Sequence, residues 1–562
     1  MGRIEILDTT LRDGAQAEGI SFSVQDKLDI LKALDELGVA WIEAGNPGSN
    51  PKDMEFFRLA KDIKLEQSIL CAFGSTRKKQ LTPSNDEQIL SLLKADTQAV
   101  VLFGKSWDLH VTEVLGVGLA ENLAMIKETI AFFKEKGRLV FFDAEHFFDG
   151  WSANPEYALS ALKAAQEAGA DRIVLCDTNG GMFPDAVTKA VGEAITALGI
   201  TASASGSMDA AVANALADEC ETFAQPKNPH GCGFLGIHAH NDIDMAVANS
   251  LAAVKAGCLH VQGTLAGFGE RCGNTCLAAL IPSLELKLGY QCLPKGRLER
   301  ISGITRKVAE IANIALDNNM PYVGSHAFSH KAGMHADGIL KLRKSFEHID
   351  PSMVGNRRNF IMSEVVGRSA IAERAKKIEP SITKEHPVCA ALAGKLKTLE
   401  AEGWAFEGAD ASFELLIRRE LGRYQSLFKI EAYRVVSEHP TGETISCSHA
   451  WVKVLVDGRY EIAAAEGDGP VNAMDSALRR ALKHFFPELE QVRLSDYKVR
   501  VIDGNSATAA KVRVLISSGD GKQNWVTVGV SGDIIEASRI ALTDSIEYKL
   551  IGDFERRFKA YL

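Results

Sequence analysis

The sequence predicts an α/β fold: a (β/α)8 TIM barrel, then a helical linker subdomain, then a C-terminal α+β pseudo-symmetric two-half regulatory domain. Three observations carry this. Over the first 290 residues, eight short apolar, β-rich runs alternate with amphipathic helical stretches. Residues 291–415 are polar and helical in pattern, punctuated by Pro and Gly. From Tyr424 onward, period-two strands dominate and recur as a strand-then-helix unit. The expected domains are therefore a barrel over 1–290, a helical linker over 291–415 and a ligand-binding or assembly module over 416–562.

The eight runs are IEILDTT (4–10), AWIEAGNP (40–47), SILCAFGST (68–76), AVVLFG (99–104), LVFFDAEHF (139–147), RIVLCDT (172–178), FLGIHAHN (234–241) and CLHVQGTLAG (258–267). A helix follows each in pattern. In SVQDKLDILKALDELG, Ser23 is the expected N-cap, Asp26 stands three residues on, and Gly38 closes the helix. An open doubly wound sheet is the alternative, but no G-x-G-x-x-G follows the first strand. One spacing is long: from Asp177 to Gly236 lie nearly sixty residues where one helix needs about half. The excess reads as an inserted loop and helix. In the C-terminal part, WVKVLVDG (451–458) resembles KVRVLISSG (511–519), and GPVNAMDSALRRAL (469–482) resembles GDIIEASRIALTDSI (532–546).

Bulk properties narrow the class. A chain of 562 residues needs more than one core. Its 46% hydrophobic and 24% charged content is that of a globular protein. A net charge of −10 argues against a nucleic-acid partner. No apolar run reaches a membrane span, and no signal peptide is visible, so no membrane partner is expected. Ten scattered cysteines fit reduced thiols and a cytoplasmic location. Cys272 and Cys276 have no second pair of zinc-ligand spacing nearby, so no structural zinc site is expected there.

Active sites of such barrels lie at the C-terminal ends of the strands. Those ends carry Asp8, Thr9, Thr10, Arg12 and Asp13; Glu43 and Asn46; Asp143, Glu145 and His146; Asp177, Thr178 and Asn179; His238, His240, Asn241 and Asp242; then Glu270, Arg271 and Asn274. His238 and His240 are two apart in a strand, so they share a face. Barrel closure brings Asp13 beside them. Two histidines and one carboxylate suit a divalent cation with open positions, such as Mg²⁺, Mn²⁺ or Zn²⁺, and iron also accepts this set. Arg12 can steady negative charge on a reacting oxygen, or simply pair with Asp13 or Glu145. Glu145 can act as a base, orient one or bind metal. Thr178 can hydrogen-bond a carboxylate. His326, His330 and His335 lie outside the barrel segment; each is a candidate base near neutral pH or a surface histidine.

Six stretches in order, LDTTLRDGAQ, FDAEHFFDG, CDTNGG, GIHAHND, GTLAGFGERCGN and GMHADG, resemble the metal-dependent, Claisen-condensing barrel family of 2-isopropylmalate, homocitrate and citramalate synthases. The resemblance runs nearly end to end. GAQAEGISFSVQDKL, GSNPKD and FEHIDPSMVGNRRNF look most like the long-type citramalate synthases. The resemblance implies condensation of acetyl-CoA with a 2-oxo acid, pyruvate in the first instance and 2-oxoisovalerate as the alternative. It implies metal ligands Asp13, His238 and His240, with Asn274 nearby or through water. It gives Arg12 the ketone oxygen, Thr178 the substrate carboxylate, and His335, supported by Glu145, the base. It also implies an amino-acid effector at the C-terminal domain, isoleucine for a citramalate synthase or leucine for the isopropylmalate enzyme, and a homodimer. Two departures stand out. Phe346 occupies the place where relatives commonly carry a tyrosine after GMHADG, and the insertion precedes strand seven. Phe103 and Phe142 flank strands four and five and can narrow an acceptor pocket or serve as core. A metal-dependent lyase or aldolase, or a regulator without turnover, are the readings from other classes.

Overall fold

A computed structural model describes residues 2–200, 234–330, 338–339, 341–360, 368–406, 408–438, 447–502, 510–521 and 523–561. They form two compact units: Met1–Phe328 with Ile349–Arg357, and Ser329–His348 with Arg358–Leu562. The predicted insertion at 201–233 and the candidate base His335 lie outside the described residues.

Unit one is a closed barrel of eight parallel strands in sequential order. They are β1 (Glu5–Asp8), β2 (Trp41–Glu43), β3 (Ile69–Ser75), β4 (Ala99–Lys105), β5 (Leu139–Glu145), β6 (Arg172–Asp177), β7 (Phe234–Ala239) and β8 (His260–Gly263). Strand β1 pairs with β8, matching Glu5 to His260 and Leu7 to Gln262, which closes the ring. The alternation of each strand sorts its side chains. Ile6, Ile42, Val100, Leu102, Val140, Phe142, Leu175, Ile237 and Val261 join the core under the surrounding helices. Leu7, Trp41, Cys71, Val101 and Phe141 form a separate core inside the barrel. Phe142 therefore faces the helices, and of the two phenylalanines weighed for the pocket only Phe103 points inward.

The first helix, α1 (Val24–Leu37), shows why the outer layer forms where it does. Ser23 and Asp26 make a reciprocal capping box, and Gly38 ends the helix at φ 91°. A Cβ on Gly38 would also lie 2.6 Å from Pro294 Cδ. The bottom of the barrel is plugged by polar side chains. Arg172 donates two bonds of 2.9 Å to Glu5, and Trp41 Nε1 donates to the same carboxylate at 3.3 Å. His260 packs edge-on against Phe141. That end is closed, so chemistry is left to the other.

Unit two holds two three-stranded antiparallel sheets, β9 (Lys429–Glu438), β10 (Cys447–Val456) and β11 (Arg459–Gly467), then β12 (Arg493–Val501), β13 (Val512–Gly519) and β14 (Asn524–Ser531). Each is followed by a helix, Pro470–Leu482 and Ile534–Tyr561. Both helices present small residues to their sheet: Ala473, Ala477 and Ala481 in one, Ala537 and Ala541 in the other, all fully buried. The internal repeat is thus a repeat of structure. The first hairpin turns on Asp457 and Gly458, both at positive φ. In the second, Gly519 pairs with Asn524.

Candidate active site

Parallel register fixes which strand ends meet. His238 on β7 is the Cα partner of Gln262 on β8 and of Cys176 on β6. His240 bridges to Asn274 just past the barrel. Asp13, His238 and His240 are all buried, and their ligand atoms lie within 4.8 Å of one another. His238 Nε2 is 3.6 Å from Asp13 Oδ2. Asn274 donates to Asp13 Oδ1 at 3.1 Å and to the Phe268 carbonyl at 3.1 Å. Gly269 makes this approach possible: at φ 154° it brings its backbone so close that a Cβ would sit 2.2 Å from Asn274 Nδ2. The sequence-predicted ligand set is therefore one cluster.

The donor set fits a divalent cation. Asn274 Oδ1 and His240 Nδ1 are buried and accept no hydrogen bond. Burial, then the neighbouring His238, lowers the His240 imidazole to about 4, so it stays neutral with a lone pair available. Burial alone would raise Asp13, but Arg12, then His238 and His240, hold it down at about 2. His238 Nδ1 lies 2.8 Å from Gln262 Oε1, and Gln262 Nε2 donates to Asp13's neighbour in charge, Asp143, at 2.9 Å. An amide oxygen can only accept, so Nδ1 is a donor here, and Nε2 is the ring nitrogen that faces Asp13.

Arg12 binds Glu43 through its Nε, and Asp13 Oδ2 through Nη1 at 2.8 Å. Its guanidinium lies flat on Phe73, 3.7 Å from the ring centroid. Thr9 Oγ1 adds a 2.7 Å bond to Glu43. Glu43, a strand end without an assigned role in the sequence, is thus the anchor of Arg12. The pairing of Arg12 with Glu145 weighed from sequence does not occur; Glu145 pairs with Lys105 at 2.5 Å. Asp143 is fully buried, and burial, then the charge of Glu43, pushes it up to about 8. It is a neutral member of an otherwise acidic group.

Thr178 accepts the backbone N–H of His146 at 2.8 Å, which leaves its own hydroxyl proton to donate elsewhere. His146 itself is bound to Asp149 at 2.9 Å and stands at φ 57°. Asn241 and Asp242 are structural: Asn241 Oδ1 accepts from Ala246 N at 3.1 Å, and Asp242 receives two bonds from Arg271 at 2.7 and 3.0 Å. Outside the barrel, His326 is exposed, and His330 pairs with Glu347 at 3.1 Å within unit two. Phe346 is exposed at 44%, also in unit two. The sequence reading missed Gln262, Lys105 and Phe73. Gln262 and Phe73 do carry a signal, being at inward parity in runs already identified as strands; Lys105 follows the fourth run directly.

No helix among the described residues is long and apolar enough to cross a membrane. Three family models match the chain: HMGL-like over residues 3–219 and 209–306, the homocitrate synthase post-HMGL domain-like model over 322–403, and the LeuA allosteric (dimerisation) domain over 407–550. Among curated relatives, the (R)-citramalate synthase of Aquifex aeolicus is 47% identical, covering 98% of this chain and 99% of its own. That of Synechocystis sp. is 45% identical over 97% and 96%, and that of Geobacter sulfurreducens 44% over 98% and 98%.

Proposed function

The chain belongs to the HMGL-like family, in its (R)-citramalate synthase branch, and on that premise we propose that it condenses acetyl-CoA with pyruvate to (R)-citramalate and CoA. The observation that carries the reading is the buried Asp13–His238–His240 cluster with Arg12 against it. Asp13, His238 and His240, with Asn274 Oδ1, would hold the cation. A divalent cation there supplies Lewis-acid polarisation of the 2-oxo acid's ketone.

The chain's own groups do the rest. Thr178 donates to the acceptor carboxylate. Arg12, held by Glu43, steadies the alkoxide as the new carbon–carbon bond forms. His335, supported by Glu145, takes the proton from the acetyl methyl, and hydrolysis of the thioester then releases CoA. Phe73 and Phe103 stack at 5.3 Å and present a flat apolar wall beside Arg12, which suits a methyl group better than the branched chain of 2-oxoisovalerate. Segment 1–290 carries catalysis, 291–415 completes the site, and 416–562 binds an amino-acid effector and a second copy of the chain. The free thiols among the described residues fit a reducing cytoplasm.

The test is CoA release by purified protein with Mg²⁺ or Mn²⁺ and a panel of 2-oxo acids. Release with pyruvate well above that with 2-oxoisovalerate is expected, and a preference for the latter sinks the reading. His240→Ala should abolish metal-dependent turnover; retained activity would place the metal elsewhere.

A further inference from the structure

We propose that Lys105 is a positioning residue for this condensation: its ammonium holds the Glu145 carboxylate aimed across the barrel mouth. The inference rests on the condensation reading above.

Lys105 and Glu145 are Cα partners at the last rung of β4 and β5, so both side chains leave the same inner face. Their ion pair is 2.5 Å long, and the side chains are only 16% and 24% exposed. The next residue, Ser106, bonds the Glu145 carbonyl through its N–H at 3.2 Å and its hydroxyl at 2.7 Å. Two consecutive residues thus clamp Glu145, one by main chain and one by charge. Asn122 Nδ2 fixes the carbonyl of Lys105 itself at 2.8 Å. Lys105 Nζ lies 5.9 Å from the Phe103 ring, Phe103 stacks on Phe73, and Phe73 carries Arg12. One continuous wall therefore joins Glu145 to the metal cluster.

Charge assigns the task. The inner face carries the carboxylates Asp13, Glu43 and Glu145, besides the neutral Asp143. Arg12 is committed to Asp13 and Glu43. Among the described residues, the other titratable groups near Glu145 are committed elsewhere or disfavoured as cations by burial. His110 is lowered by burial and then by His146 and Lys105, His146 is bound to Asp149, and the Cys176 thiol is pushed up by burial. Among the described residues, Lys105 is the positive charge paired with Glu145. Without it, the carboxylate would lose its fixed direction.

The test uses full-length protein with saturating Mn²⁺ and reads CoA release for wild type, Lys105→Met, Lys105→Gln and Lys105→Arg. Both neutral variants should lose about tenfold to a hundredfold in kcat, with KM for pyruvate within about threefold. Lys105→Arg, which keeps the charge, should recover most of the rate. Mn²⁺ affinity should be unchanged throughout. Wild-type kcat in either neutral variant overturns the proposal. So does a loss confined to KM for acetyl-CoA, which would make Lys105 a thioester- or CoA-binding group. Two neutral variants guard against one that fails to fold, and an inactive Lys105→Arg with a normal melting temperature also overturns it. If wild type releases no CoA with any 2-oxo acid, the condensation reading itself has failed.

Discussion

His238 Nδ1 and Gln262 Oε1 lie 2.8 Å apart across paired strands, and this single bond sets the tautomer of a metal-site histidine. Gln262 is in turn held by Asp143 through its amide N–H at 2.9 Å. Asp143 accepts that bond through Oδ1, and burial, then the charge of Glu43, pushes its carboxyl up to about 8. Gln262→Leu keeps the volume and removes the orienting oxygen. Mn²⁺ affinity, read by titration, should weaken about tenfold to a hundredfold while the melting temperature changes little. Unchanged affinity would mean that the imidazole is oriented by packing alone.

Phe103 and Phe73 stack at 5.3 Å with planes 16° apart, on the same inner face that carries Arg12. Cutting Phe103 to alanine opens space next to the acceptor's alkyl group and loosens the ring under the guanidinium. Phe103→Ala should lower kcat/KM for pyruvate and move the ratio of 2-oxoisovalerate to pyruvate turnover upward by at least about tenfold. CoA release with each acid measures this. A ratio that stays put would show that the wall does not select the acceptor.

What was legible follows from periodicity. The barrel strands were visible because inward and outward positions in FLGIHAHN or LVFFDAEHF differ in chemistry, and Ser23, Asp26 and Gly38 punctuate the first helix. Asp13, His238, His240 and Asn274 were nameable because motif order brought together residues far apart in sequence, and the structure clusters them. What was hidden is pairing between strands. Nothing in AWIEAGNP says that Glu43 will bind Arg12, because that contact depends on β1 and β2 lying side by side. Lys105 ends β4, yet its partner Glu145 is set by the register of β4 against β5. Phe103 and Phe142 both flanked the predicted pocket. Alternation within the strand, not hydrophobicity, sends Phe142 to the helices and Phe103 inward.

Asp8 lies on the face of β1 opposite Leu7 and is fully buried. One oxygen accepts the Thr10 N–H at 2.8 Å, and the other has no hydrogen-bond partner. Burial pushes its carboxyl up to about 7, with the charge of Glu43 adding to the shift. In the unfolded chain it titrates near about 4. Between those values the folded state binds the extra proton, so this stability is full below about pH 4 and is lost as pH rises through about 7. Asp8→Asn removes the titration and keeps the acceptor oxygen. From pH 5 to 8 the melting temperature of wild type should therefore fall more steeply than that of the variant. Asp143, which also titrates high, leaves some slope in both. Parallel curves would show that Asp8 is not the group responsible.

The two sheets of the C-terminal unit differ in what covers their outer faces. On the second, Leu515, Val528 and Val530 pack with Phe413, Leu416 and Ile417 of the helix Asp410–Glu420. On the first, the matching face shows Val436, Trp451, Tyr460 and Ile462 exposed at 37, 39, 57 and 62%. Alternation puts Trp451 and Ile462 on one side, away from the buried Val452 and Val454 that meet the helix. An apolar sheet face of this kind in a segment matching an allosteric dimerisation domain is where a second copy should dock. Trp451→Glu with Ile462→Lys places charges at its centre. Sedimentation should then show the dimer dissociating at concentrations at least about a hundredfold higher than for wild type. The barrel's Mn²⁺ affinity should be unaffected, since the metal cluster lies wholly within unit one. A variant that remains dimeric at wild-type concentrations would move the interface off this face.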